Sequence, residues 1–135
     1  MKVKLDKNAR MPTSAHKLDA GFDLYARETQ TVPARGSAVF DTGVHVQIPA
    51  GVVGMVKSKS GLMMKGLKSE GVVDAGYTGS VCVKLFNNSK NDYTVNEGDK
   101  ISQIVFMPIW KPTLEEVDEL EETERGDNGF GSSGK

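Results

Sequence analysis

Four short segments place chemically useful side chains beside glycine, where a plain structural domain has no need of them. In GVVDAGYTG (71–79) Asp74 follows an apolar pair and precedes a turn. That order predicts a carboxylate at the mouth of a strand, partly desolvated and able to take a proton from a water. Tyr77, three residues on, offers a ring that can lie against a sugar, although Asp and Tyr in a turn also occur as plain structure. In AGFDLYA (20–26) Asp23 stands between Phe22 and Leu24. It reads either as an Asx-turn or ladder-edge carboxylate, or as a carboxylate for hydrated Mg2+, a hard ion that keeps its waters and bridges phosphates. SKSGL (58–62) offers Lys59, the Ser60 hydroxyl and backbone N–H groups near Gly61. It reads as a helix-start phosphate nest or as an ordinary N-cap with solvated lysines. In GDKISQIVFMPI (98–109) Gln103 lies among strand residues, and a buried amide requires partners or a ligand.

A fifth segment, RGDNGFGSSGK (125–135), has no apolar periodicity that could bury it. Such a strap can fold over an anion: Arg125 and Lys135 meet phosphate charge, glycine N–H groups approach it closely, and Phe130 stacks on a flat base. The plainer reading is a disordered Gly/Ser tail. GFGSSGK also matches G-x-x-x-x-G-K, but a P-loop is not expected, because neither a Ser/Thr for magnesium nor a helix follows Lys135.

These segments need a scaffold, and the chain reads as short strands separated by glycine and proline. The strand readings are 3–5, 37–48 with alternation at Val44, Val46 and Ile48, 51–59, 79–87 and 99–109. SGLMMKG (60–66) is one or two helical turns ended by Gly66, and no segment sustains a longer amphipathic helix. Fifteen glycines among short strands predict an all-β barrel or sandwich. At 135 residues the expectation is one domain, a core over 1–118 and an arm over 119–135 that begins with the acidic ELEETERGDN. Seventeen Lys+Arg against 18 Asp+Glu leave no global field for duplex nucleic acid, so stable nucleic-acid binding is not expected. The one cysteine, Cys82, excludes an internal disulfide, and its neighbours in SVCVKLF predict a buried strand position. No stretch approaches a membrane span and MKVKLDKNAR has no apolar leader core, so a cytoplasmic protein without membrane contact is expected.

Taken in order, AGFDLYA, SKSGL, GVVDAGYTG, GDKISQIVFMPI and RGDNGFGSSGK resemble the five motifs of the homotrimeric dUTPase (dUTP diphosphatase) family, from about Ala20 to the C-terminus. The resemblance implies a distorted β jelly roll, a homotrimer with active sites shared between subunits, and Mg2+-dependent hydrolysis of dUTP to dUMP and pyrophosphate. It leaves the source open, the phage and Gram-positive bacterial types included. It implies that Asp23 holds a water of the Mg2+ shell and that Asp74 is the general base. Gln103 would contact phosphates or position the water. Lys59, Ser60 and Gly61 would meet phosphates, and Tyr77 would pack on deoxyribose and reject a 2′-OH. Arg125 would pair with the γ-phosphate, Phe130 would cover uracil, and Gly131, Ser132 and Ser133 would wrap the triphosphate. A hairpin within 68–72, Val72 included, would read uracil through its backbone.

The physics agrees with that set of roles. Attack on a polyanion is repelled, so cations must neutralise its oxygens while a closed strap excludes water. One base then suffices, because positioning and electrostatics supply most of the acceleration. Two departures stand out: Lys59 takes the place of the family's usual arginine and lacks its planar fork, and MMKGLKSEGVV is shorter than the usual hairpin. Two rivals share the fold. A dCTP deaminase needs a glutamate at the pyrimidine, for which Glu70 alone is near, and a nucleotide-switched protein-binding trimer usually shows an inserted segment. Adhesion through the RGD at 125–127 requires secretion, which nothing in the sequence indicates.

Overall fold

Side-chain alternation decides how this chain pairs with itself. In the computed structural model, which describes residues 1–134, strand β8 (Ser80–Asn87) turns Val81, Val83 and Leu85 inward and Cys82, Lys84 and Phe86 outward. Cys82 is therefore exposed, not buried as its apolar neighbours suggested: a strand's period of two gives it the parity of Lys84. Lys135, counted above among the cations of the tail, lies outside the described residues.

The long strand β4 (Ser37–Gln47) runs antiparallel to β8 and carries a bulge. Asp41 pairs with Cys82, but the next pair is His45 with Ser80, so β4 holds two extra residues. Gly43 makes the kink with φ of 65°, and a β-carbon there would meet Arg27 Nη1 at 2.8 Å. An insertion of two keeps the parity, so Val44, Val46 and Ile48 still face inward as the alternation predicts.

One sheet has the order β1 (Lys2–Leu5), β4, β8, β6 (Leu67–Lys68). The other has the order β2 (Phe22–Tyr25), β10 (Lys100–Pro108), β5 (Val52–Lys57), β7 (Glu70–Val73). A small pair, β3 (Gln30–Val32) with β9 (Tyr93–Val95), completes an all-β, jelly-roll-like fold whose pairings are all antiparallel. Phe40, Leu24, Leu85, Ile101 and Ile104 fill the space between the sheets, each at most 1% exposed. Burying one such side chain contributes about 1.5–3 kcal/mol. Helix α1 (Ser60–Met63) is one turn, the shorter of the one or two expected, and the chain reverses after it at Gly66, where φ is 85°.

The last tie to the sheets is the Ile109 N–H, which donates to the Gly51 carbonyl at 2.9 Å. From Trp110 to Gly134 every residue is exposed. Among the described residues no helix is long and apolar enough to cross a membrane.

Candidate active site

The central position of β10 brings three of the sequence segments together. Gln103 on β10 lies opposite Asp23 on β2 at one side and opposite Lys57 on β5 at the other. The chain past Lys57 is pinned by serines: the Ser58 hydroxyl donates to the Ser69 carbonyl at 2.9 Å and accepts from the Ser69 N–H at 2.8 Å. The buried Ser102 hydroxyl donates to the Lys57 carbonyl at 2.8 Å, and Gln103 Nε2 donates to the Ser58 carbonyl at 3.1 Å. Gln103 thus finds a backbone partner, and its Oε1 lies so close to Gly21 that a β-carbon there would stand 2.5 Å away.

Asp23 is 4% exposed and meets two ammonium groups. Lys59 Nζ donates to Oδ1, and Lys100 Nζ lies 2.7 Å from Oδ2, an ion pair by distance without an aligned hydrogen bond. Burial alone pushes this carboxyl up, but the Lys100 and Lys59 ammonium groups outweigh burial and hold it below its usual value. Neither reading of Asp23 offered from sequence included a two-lysine clamp. Lys100 was missed altogether, because its partner lies 77 positions earlier in the chain.

Ser60 and Gly61 open α1 and are exposed; Lys59, not Ser60, occupies the N-cap, and no side chain caps the helix. The first N–H groups of a helix have no partner within it.

A second group sits on the turn that follows β7. Asp74 is exposed there, not partly desolvated as expected, because the chain leaves the sheet immediately after the buried Val73. Among the described residues its carboxylate makes no hydrogen bond or ion pair. The Tyr77 N–H donates to the Asp74 carbonyl at 3.0 Å and closes the turn. The ring of Tyr77 then folds back over Gly79, and its hydroxyl donates to the Ser80 carbonyl at 2.8 Å. A β-carbon on residue 79 would meet Tyr77 Oη at 2.5 Å, so glycine lets the ring rest there and a larger residue would push it aside. Val72, one residue before the buried Val73, is exposed.

The turn is tethered to β4 on both sides. His45 Nδ1 lies 2.9 Å from the Thr78 carbonyl, and the Ser80 hydroxyl donates to Asp41. These β4 residues were not singled out from sequence. Outward residues on an alternating strand look like ordinary surface until their distant partners are known.

The tail forms only local turns. Arg125 Nε donates to the Asn128 carbonyl at 3.0 Å, the Ser132 hydroxyl to the same carbonyl at 3.4 Å, and Gly131 takes φ of 80°. Phe130 is fully exposed, Ser133 is exposed, and neither touches the two groups above. The fold thus brings together Asp23, Lys59 and Gln103, sets Asp74 and Tyr77 elsewhere, and leaves Arg125 to Ser133 free of both.

No group of three or more His, Cys, Asp or Glu side chains capable of holding a metal ion exists among the described residues. With both Asp23 oxygens facing lysines, the donor set does not fit a resident cation. It is compatible with a cation that arrives on a polyphosphate, since lysine side chains 29% and 44% exposed are free to turn outward.

The model of a family described as dUTPase matches residues 7–134. A deoxyuridine 5'-triphosphate nucleotidohydrolase of Candida albicans is 43% identical over 130 residues, 93% of this chain and 82% of that protein. The protein of the same name from Clostridium acetobutylicum is 40% identical over 135 residues, 97% and 93% of the two chains. Among solved structures, the Staphylococcus bacteriophage 80alpha dUTPase with dUpNHpp superposes with a TM-score of 0.93 at 37% identity, covering 99% of this chain and 98% of that one. A mutant dUTPase from phage phi11 of S. aureus, described for its coordination of a structural Mg(II) ion, gives 0.82 at 36% identity, covering 90% and 98%.

Proposed function

The chain belongs to the dUTPase family, and on that premise we propose that it is a dUTP diphosphatase whose catalytic base is Asp74. The observation that carries this reading is the turn after β7. Asp74 is open to solvent with its carboxylate unengaged, so it can accept a proton, and Tyr77 presents a half-exposed ring three residues away. Water activated by Asp74 attacks the α-phosphorus of dUTP. The bond from that phosphorus to the bridging oxygen breaks, pyrophosphate leaves, and dUMP remains.

The substrate is dUTP as its magnesium complex, whose metal supplies charge neutralisation at the phosphates. Asp23 meets a water of that complex, and Lys59 turns from Asp23 toward the phosphates as it does so. Ser60 and the Gly61 N–H add donors at the opening of α1. Gln103, already fixed through Ser58, orients the attacking water or a phosphate oxygen. Tyr77 packs on the deoxyribose, and the backbone around Val72 reads uracil. Arg125 pairs with the γ-phosphate, Phe130 covers the base, and Gly131, Ser132 and Ser133 close over the triphosphate. In this reading residues 1–118 are the core and 119–135 the arm. The protein works in the cytoplasm as a homotrimer, where it keeps uracil out of DNA and supplies dUMP for thymidylate synthesis.

Glu70, the carboxylate that a deaminase would need, is exposed and paired with Lys57 at 3.0 Å, which favours hydrolysis over deamination. The test is a screen of deoxynucleoside and nucleoside triphosphates with product analysis. Formation of dUMP and pyrophosphate from dUTP alone is expected; release of ammonia, or equal turnover of all triphosphates, would overturn the assignment.

A further inference from the structure

We propose that His45 is a positioning residue for the Asp74–Tyr77 turn, which it holds in place through the Thr78 carbonyl. The inference rests on the reading of that turn as the catalytic one. His45 stands on β4 directly after the two-residue bulge, opposite Ser80, and its side chain is 18% exposed. Nδ1 lies 2.9 Å from the Thr78 carbonyl, and Nε2 lies 3.1 Å from Asp6 Oδ2, an ion pair by distance without an aligned hydrogen bond. A carbonyl and a carboxylate both only accept, so both ring nitrogens face acceptors, and only the imidazolium has two N–H groups to give.

The charged groups around the ring come from four places. Asp6 follows β1 and Lys4 lies on it, with Lys4 Nζ 3.9 Å from Asp6. Arg27 follows β2 and bridges Asp6 at 3.6 Å and Asp41 of β4 at 2.6 Å. Asp41 in turn accepts from Ser80 at the start of β8 and from the Gly43 N–H. Asp41 and Ser80 therefore hold the far side of the turn, and His45 holds the near side. The Thr78 carbonyl and the Asp6 carboxylate raise His45 above its ordinary value. A raised histidine keeps its second proton at low pH and loses it as pH rises through that higher value. Neutral imidazole has one N–H to divide between Asp6 and Thr78, so above that pH the near-side tether weakens.

Tyr77 lies one residue from Thr78, with its ring on Gly79 and its hydroxyl on Ser80. Slack at Thr78 therefore moves the ring that is proposed to exclude a 2′-OH. The consequence is a discrimination between dUTP and UTP that depends on pH. A ratio of the two kcat/KM values cancels any pH dependence that the two substrates share.

The experiment compares wild type, His45→Asn and His45→Leu between pH 6 and 9. Asparagine places a neutral donor where Nδ1 stood; leucine removes it at similar bulk. One readout is the dUTP/UTP ratio, the other the hydrogen-exchange protection of the Tyr77 amide, corrected for intrinsic exchange. His45→Leu is expected to lower both about fivefold at pH 6, the weight of one hydrogen bond. Wild type should fall toward the leucine value as pH rises, and His45→Asn should stay high and flat. Protection and ratio unchanged in His45→Leu, or asparagine behaving as leucine does, would overturn the proposal. Tyr77→Ala is the control. It should cost the ratio about tenfold or more, and if it leaves the ratio unchanged the reading of the turn as the sugar site falls, while the protection data still judge the tether.

Discussion

Asp74 and Lys59 leave the paired strands β5 and β7 at opposite ends. Val73 lies beside Gly54 and Glu70 beside Lys57, so the base follows one end of the ladder and the phosphate lysine the other. Three residue steps of strand alone separate the ends by roughly 10 Å. A single chain therefore carries both parts of the proposed site without bringing them together, which supports a site shared between copies. Mixing denatured Asp74→Asn chains with Lys59→Ala chains and refolding them together should restore activity that neither variant has alone. Random assembly predicts recovery of about one quarter of the sites. A mixture as inactive as its parents would return both residues to one chain's site, and sedimentation should show three chains per particle.

Asp74→Asn should lower kcat at least ~100-fold with KM for dUTP nearly unchanged, since the amide fills the same space and cannot take the proton. Single-turnover kinetics report the chemical step directly. A variant rate within tenfold of wild type would give the role of base to another group.

Acid should act through Asp23. Its carboxyl is held below the ordinary value in the folded chain, so its contribution to stability is complete above the unfolded value near 4 and disappears as pH falls through the lower folded value. Asp23→Asn should lower the melting temperature at pH 7 by about 5 °C, because two lysines lose their partner but reach water. The same variant should melt with a shallower dependence on pH below 4. Parallel acid melting curves for variant and wild type would remove Asp23 from this account.

A chain that ends at Thr123 should melt close to the full-length protein and hydrolyse dUTP far more slowly. The hydrogen bonds of Arg125, Gly126, Asn128, Ser132 and Gly134 all stay within the tail, so the sheets lose little with it. The proposed loss is that of the closed, water-excluding state. Early unfolding, or hydrolysis at the full rate, would make the strap a structural element.

The sequence made strands legible where alternation ran long enough. Val44, Val46 and Ile48 face the core as their alternation predicts, and β8 and β10 lie where their runs predict. Three-residue strands such as β3 and β9 gave no such signal, because two or three alternating positions do not exceed chance. Cys82 has apolar neighbours that suggest burial, but its parity with Lys84 turns it outward. The polar clusters were the least legible. Lys100 reaches Asp23, and His45 reaches Thr78, across dozens of residues, and only the sheet register makes them neighbours.

The ring of Tyr77 lying on Gly79 has a consequence for heredity. A β-carbon at position 79 would displace the outer end of that ring, and a smaller residue at position 77 leaves nothing there to displace. Change at position 79 is therefore least disruptive once position 77 has lost its ring. A lineage that keeps the ring in this place is expected to keep the glycine with it, and one that has lost the ring is expected to show drift at position 79.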